Sequence, residues 1–386
     1  MKNKSSIIDS GSDLCIKSNV HLQKPIVGGG KERFSNLELY RIICMMLIVA
    51  HHCVVNSGLV SPEGPMSENP TSVNTLILWT IGMWGKTGIN CFLLITGYFM
   101  CKNSISLRKF IKLMLWIYIY KITIFAIFLF AGYETVNPVR IVELLSPVWG
   151  FNSNFTSCFI GFWLTIPFWN ILIRNMTKRQ HEVLLCLLIC MYTILGSIPK
   201  FNVAINYVTW FGVIYLIASY IRLYPHPTMS NKKIWSVATL ISIALALLSM
   251  IVMSYHVSPK NVTFFVSDSN KFFAVLVAIS SFLWFKNMNV SYSKLINTIG
   301  ASTFGVLLIH ANSDAMRQWL WKDTVDCVGH YNLPPFQLVL YILSSVVIIF
   351  IICTIIDIIR IKLVEKPFFR WYDKKPRFLR IQSLIK

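Results

Sequence analysis

Apolar runs of about 17 to 25 residues recur along nearly the whole chain, and each is long enough to cross roughly 30 Å of hydrocarbon at 1.5 Å per residue. They lie near residues 39–59, 76–100, 110–132, 156–173, 183–198, 205–222, 234–254, 271–286, 296–312 and 337–360. The pattern predicts an all-α fold: a polytopic integral membrane bundle of about ten transmembrane helices. The fifth, eighth and ninth runs are short, and each reads equally as a tilted span or a re-entrant segment. Connections at 60–75, 133–155, 255–270 and 313–336 are longer than the turns on the other side and hold Pro, Asn, Ser and Trp. They are the expected lids or acceptor-contacting surfaces. One membrane domain, 35–370, is expected between a polar, flexible cytoplasmic leader at 1–34 and a basic, aromatic tail at 371–386 that reads as an interfacial anchor.

Composition agrees: of 386 residues, 55% are hydrophobic and only 13% charged, with a mean hydropathy of +0.59. The net charge of +20 changes the picture only through its distribution. If both termini are cytoplasmic, about three-quarters of the Lys and Arg fall on that side. The clusters Lys102/Arg108/Lys109, Arg174/Lys178/Arg179 and Arg222/Lys232/Lys233 and the stretch from Arg360 to Lys386 then act as topology signals facing a lipid bilayer, and no nucleic-acid partner is implied. The ten cysteines contain no CxxC pair and give no metal site. Cys158 and Cys327, both near the outer face, are a candidate pair. Aromatic residues in the outer loops, Trp149, Trp319 and Trp321 above all, could stack on carbohydrate or belong to the interfacial belt.

Ionisable groups at membrane depth cost about 2.5 to 3.5 kcal/mol each, so those that persist face the bundle interior or a wet cavity. In the first run, Glu38 and Arg41 are three apart and pair on one helix face. From Arg41 to His52 is eleven residues, within about 20° of whole turns, so the two share a face roughly 16 Å apart along the axis, while His51 points about 100° away. Lys86 and Asn90 form a polar pair at i, i+4 in the second run, and Lys121 stands in mid-span, either snorkelling or lining a cavity. Trp163 reads first as packing. His310 ends the ninth run at the same depth as His52.

These residues carry a resemblance to the acyltransferase-3 superfamily of integral membrane acyltransferases. Arg41-x10-His52 is similar to the family's first-span motif, and "GINCFLLITGYF", "FWLTIPFWNIL", "WFGVIYLIASYIR" and "STFGVLLIH" resemble its later signatures in order. Thr96-Gly97 stands where the family has Ser-Gly, Lys109-x-x-Lys112 where it often has Arg-x-x-Arg, and the histidine before the fourth-span Trp is missing from "CFIGFW". The resemblance implies transfer of an acyl group, usually acetyl from cytosolic acetyl-CoA, to a hydroxyl of an envelope glycan or lipid-linked sugar, across the bacterial cytoplasmic (inner) membrane. It makes Arg41, His52 and His310 the expected catalytic residues, with His52 either general base or transient acyl carrier. Arg41, Lys109 and Lys112 would bind the donor's phosphates. Glu38, His51, Lys86, Asn90, Lys121 and Trp163 would line the path. A secondary transporter or flippase for a lipid-linked sugar is the alternative, and homo-oligomerisation is left open.

Overall fold

The computed structural model describes residues 34–375 except 152, 153 and 202. The expected leader, apart from Phe34, and the last eleven residues of the tail lie outside the described residues. Each apolar run forms helix: α1 Ser35–Val55, α2 Val73–Gly82, α3 Gly85–Met100, α4 Leu107–Phe130, α5 Pro138–Leu145, α6 Phe155–Asn175, α7 Lys178–Ser197 and α8 Tyr207–Leu223, followed by α9 Lys232–His256, α10 Phe272–Lys286, α11 Lys294–His310, α12 Asp314–Thr324 and α13 Pro335–Tyr372. No strand occurs among the described residues. Six of these helices, α1, α4, α6, α7, α9 and α13, are long and apolar enough to cross a membrane; a seventh span results if α11 and α12, bent by 95° at their junction, count as one.

The boundaries follow from local chemistry. Ser72, Asn137, Asn154, Asn206, Asn231 and Ser293 each precede a helix and accept a hydrogen bond from its first-turn N–H groups. Thr177 and Gln180 close a reciprocal capping box on α7. The second run, expected as one span, is instead broken into α2 and α3 at Met83–Trp84. His51 explains the break. Its Nδ1–H donates to the Gly82 carbonyl at 2.6 Å, and its ring lies where a side chain at Gly85 would begin, 2.2 Å from that Cβ position. The histidine therefore satisfies a carbonyl that the broken helix leaves open.

Helix α1 is the hub, packing against α2, α3, α10, α11 and α13. Half of its membrane-length window is buried, against 22% for α7 and α9, which face outward with rows of exposed Leu, Ile and Val. Helix α13 runs for 38 residues, roughly 57 Å, so its last turns extend well past a 30 Å hydrocarbon layer. A π-helical stretch at Ile361–Glu365 re-aims its side chains there.

Two sequence expectations are corrected. Cys158 and Cys327 do not meet: Cys158 Sγ donates to the Phe151 carbonyl at 2.9 Å, and Cys327 Sγ lies 3.4 Å from Cys53 Sγ. Trp321 is fully buried, packed edge-on against the His310 ring, and so offers no carbohydrate platform, whereas Trp149 and Trp319 are exposed.

Gly85→Ala should press its methyl into the His51 ring and destabilise the protein by about 1–3 kcal/mol. Thermal unfolding in detergent checks this, and adding His51→Ala should recover part of the lost Tm because the two residues occupy one space.

Candidate functional site

His52 lies in the last turn of α1 and His310 is the final residue of α11, two helices packed side by side. His52 Nδ1 and His310 Nε2 are 2.9 Å apart, and His310 Nδ1 is 2.6 Å from the Val306 carbonyl. These partners fix the protons. A carbonyl can only accept, so His310 carries its hydrogen on Nδ1; in the neutral ring its Nε2 is then the acceptor. The hydrogen between the rings therefore belongs to His52 Nδ1, and His52 Nε2 keeps an open lone pair. His310 is fully buried while His52 remains partly accessible. A neutral imidazole with a free, oriented Nε2 can take a hydroxyl proton or act as a nucleophile. His51 belongs elsewhere, in the α2–α3 break.

Lys86 and Asn90 serve the same end of the bundle. Lys86 Nζ donates to the Tyr207 hydroxyl, which donates to Asp268 at 2.9 Å, and Lys86 and Asp268 are 3.9 Å apart. Asn90 donates to the Ser269 carbonyl at 2.7 Å and accepts from Trp210 Nε1 at 2.9 Å. Together they tie α3 to the start of α8 and to the connection before α10. Lys121 neither snorkels nor stands alone: its ammonium donates to the carbonyls of Glu143 and, at 2.9 Å, Ser146, while Tyr118 donates to that of Leu145 at 2.7 Å. Both cap the C-terminal end of α5. Lys121 also lines a cleft of about 40 Å³ with Glu134, Arg140, Glu143, Asn312 and Ser313, about the size of a water molecule rather than a sugar. Trp163 is buried and stacked on Phe110, their rings 5.6 Å apart.

At the opposite end, Arg41 pairs with Glu38 at 3.2 Å, and a charged network surrounds the end of α13. Asp357, fully buried, receives on one oxygen Trp116 Nε1 at 2.9 Å, the Tyr120 hydroxyl at 2.7 Å and Arg360 Nε at 2.8 Å. Arg360 continues to Glu365 at 2.9 Å, and Lys112 reaches the other Glu365 oxygen at 2.5 Å. Gly305 of α11 makes room for this: a Cβ there would lie 2.2 Å from the Asp357 carboxylate. Next to the network is a cleft of about 240 Å³ lined by Arg108, Lys112, Lys366 and Arg370, with Glu365, Asp373 and Phe369. Arg108 holds Asp373 bidentately at 2.9 Å and keeps its carboxyl below the usual range. Among the described residues, Lys366 and Arg370 form no ion pair, so the lining carries excess positive charge. Of the expected phosphate ligands only Lys112 lines this cleft; Lys109 Nζ donates to the Ser104 carbonyl at 2.6 Å, and Arg41 stays on α1.

The residues that sequence reasoning missed are Tyr207, Asp268, Asp357, Arg360 and Glu365. Asp357 and Arg360, three apart in an apolar run, show the spacing that drew attention to Glu38 and Arg41. Asp357→Ala or Arg360→Ala should each destabilise the protein by about 3–5 kcal/mol by stranding a buried charge, while Asp357→Leu with Arg360→Met should cost less than either single change. Folded yield and thermal stability in detergent measure the difference.

A family model described as an acyltransferase domain, that of acyltransferase-3, matches residues 34–355. No curated protein and no solved structure matches the chain. The match begins just before α1, takes in both His52 and His310 and ends within α13, two residues short of Asp357, and on that extent the chain belongs to the acyltransferase-3 family of membrane acyltransferases.

Proposed function

We propose that the protein moves an acyl group, most simply acetyl, from cytosolic acetyl-CoA to a hydroxyl of an envelope or surface glycan or lipid-linked sugar. It does so in the bacterial cytoplasmic membrane, as a bundle of about ten spans with both termini cytoplasmic. The arrangement that supports this reading best is the Val306–His310–His52 chain, which presents one unprotonated imidazole nitrogen at a partly accessible position. His52 Nε2 takes the acceptor's hydroxyl proton as the oxygen attacks the thioester carbonyl. The carbon–sulfur bond then breaks, and the proton passes from His52 to the departing thiolate. His310 is a positioning residue. It accepts from His52 Nδ1–H throughout, holding the tautomer and orienting the ring when it becomes cationic.

The cationic cleft beside the end of α13 suits the donor's phosphates. Arg108, Lys112, Lys366 and Arg370 supply charge-assisted donors there, and Glu365 and Asp373 are counter-charges that an anionic ligand displaces. Arg41 lies at this same end of the bundle, on the α1 face that His52 shares, and the donor's pantetheine arm would extend along that face.

Membranes containing the protein, given acetyl-labelled acetyl-CoA, should place label on envelope glycan. His52→Ala should lower the rate by about 10²–10⁴-fold at unchanged protein level; normal labelling by that variant refutes the mechanism. A flippase would move the sugar lipid and leave it unlabelled. His310→Ala should reduce kcat by about 10-fold or more with little change in donor KM, and His310→Gln, whose amide oxygen still accepts from Nδ1–H, should recover part of the loss. Lys366→Ala with Arg370→Ala should raise donor KM about tenfold, equal to about 1.4 kcal/mol of binding, and leave kcat near normal.

A further inference from the structure

Cys53 and Cys327 are 274 residues apart in sequence, yet their sulfurs are 3.4 Å apart, and Cys327 Sγ also lies 3.5 Å from the Cys53 carbonyl. Both side chains are buried, at 0% and 1% exposure. Cys53 directly follows His52 in α1. Cys327 follows Asp326, whose φ of +44° marks a tight turn just beyond α12. The pair therefore joins the helix carrying His52 to the segment that runs on from His310 and seats Trp321 against its ring.

We propose that Cys53 and Cys327 are a disulfide-forming site that fastens the His52 end of α1 to the segment after α12. Van der Waals contact between the sulfurs leaves about 1.4 Å to close to a bond of roughly 2.05 Å. In the proposed orientation this end of α1 faces the extracytoplasmic side, where disulfides form and persist. The oxidant is a disulfide-bearing thiol oxidoreductase or a small disulfide. One cysteine thiolate attacks the oxidant's disulfide, and the second then displaces the resulting mixed disulfide. The two cysteines lose two electrons and two protons, and the oxidant leaves as its dithiol, or as two thiols when it is a small disulfide. Because the closed pair is buried, the bond forms while the 325–333 segment docks on α1 and afterwards resists reductants in the folded protein. Cys44 and Cys91 are also side-chain partners, but they are buried beside Tyr40 toward the Arg41 end of α1, away from the end carrying His52, while Cys186 and Cys190 are exposed on α7 and Cys158 is committed to the Phe151 carbonyl.

The test counts thiols and does not depend on acyl transfer. Protein from acid-quenched membranes is denatured and tagged with a mass-shifting maleimide before and after reduction. Two fewer of the ten cysteines should be tagged before reduction, and peptide mapping should find Cys53 joined to Cys327. Cys53→Ser and Cys327→Ser should each abolish the difference. The purified reduced protein, refolded from mild denaturant in oxidised glutathione, should regain the bond whichever way the chain is oriented. Tagging of all ten cysteines in both preparations, or a cystine joining other residues, overturns the proposal. The proposal uses the orientation given above, which a topology reporter in the 325–333 segment reads separately. A cytoplasmic reporter overturns the orientation, and a reduced pair behind an extracytoplasmic reporter overturns the disulfide.

Discussion

Polar side chains at membrane depth have no water to bond, so each must find its partner inside the bundle. In this protein that constraint falls first on α1. Glu38, Arg41, His51 and His52 all lie on it, and the helix can be accommodated only where other helices bring complementary groups to it. The break between α2 and α3 supplies a carbonyl for His51, and the end of α11 supplies His310 for His52. The central place of α1 thus follows from the polar groups it carries as much as from its apolar surface.

The same constraint organises the opposite end. Asp357 and Arg360 are buried as a pair because Trp116 and Tyr120 of α4 donate to the carboxylate and Gly305 of α11 leaves it space. The π-helical stretch then brings Glu365 back toward Arg360 and Lys112, so the network passes continuously from the interior to the rim of the cationic cleft. The two ends differ in kind. One concentrates neutral, tautomer-defined imidazoles and the other fixed charge, a division that suits proton transfer at the first and anion binding at the second.

The sequence made the helices legible because hydrophobic length is a strong signal: the runs beginning near 156, 234 and 296 start within a few residues of α6, α9 and α11. It also separated His52 from His51, since rotation per residue is fixed. What it could not carry was anything depending on which helices become neighbours. His310 was expected at the depth of His52, but their contact and hence the tautomer needed α1 beside α11. Lys86 and Lys121 stand out as cations in apolar runs, while their partners, Tyr207 at the start of α8 with Asp268, and the carbonyls at the end of α5, are distant in sequence and are brought near only by packing. Depth makes Cys158 a candidate partner for Cys327 but cannot choose among cysteines at one level; packing brings Cys53 to it instead.

Helix α5 exposes Val139, Val142 and Leu145 along its outer surface, while Tyr118 and Lys121 grip its terminal carbonyls from α4. It is thus a short float at the lipid boundary, tethered from beneath. Its position is fixed on one side by two side chains of α4 that satisfy its last carbonyls, and its apolar residues face the other way. Asn312 and Ser313, which follow closely on His310, line the same cleft as Lys121, so the side chain that holds α5 and the chain leaving the histidine pair share one wall.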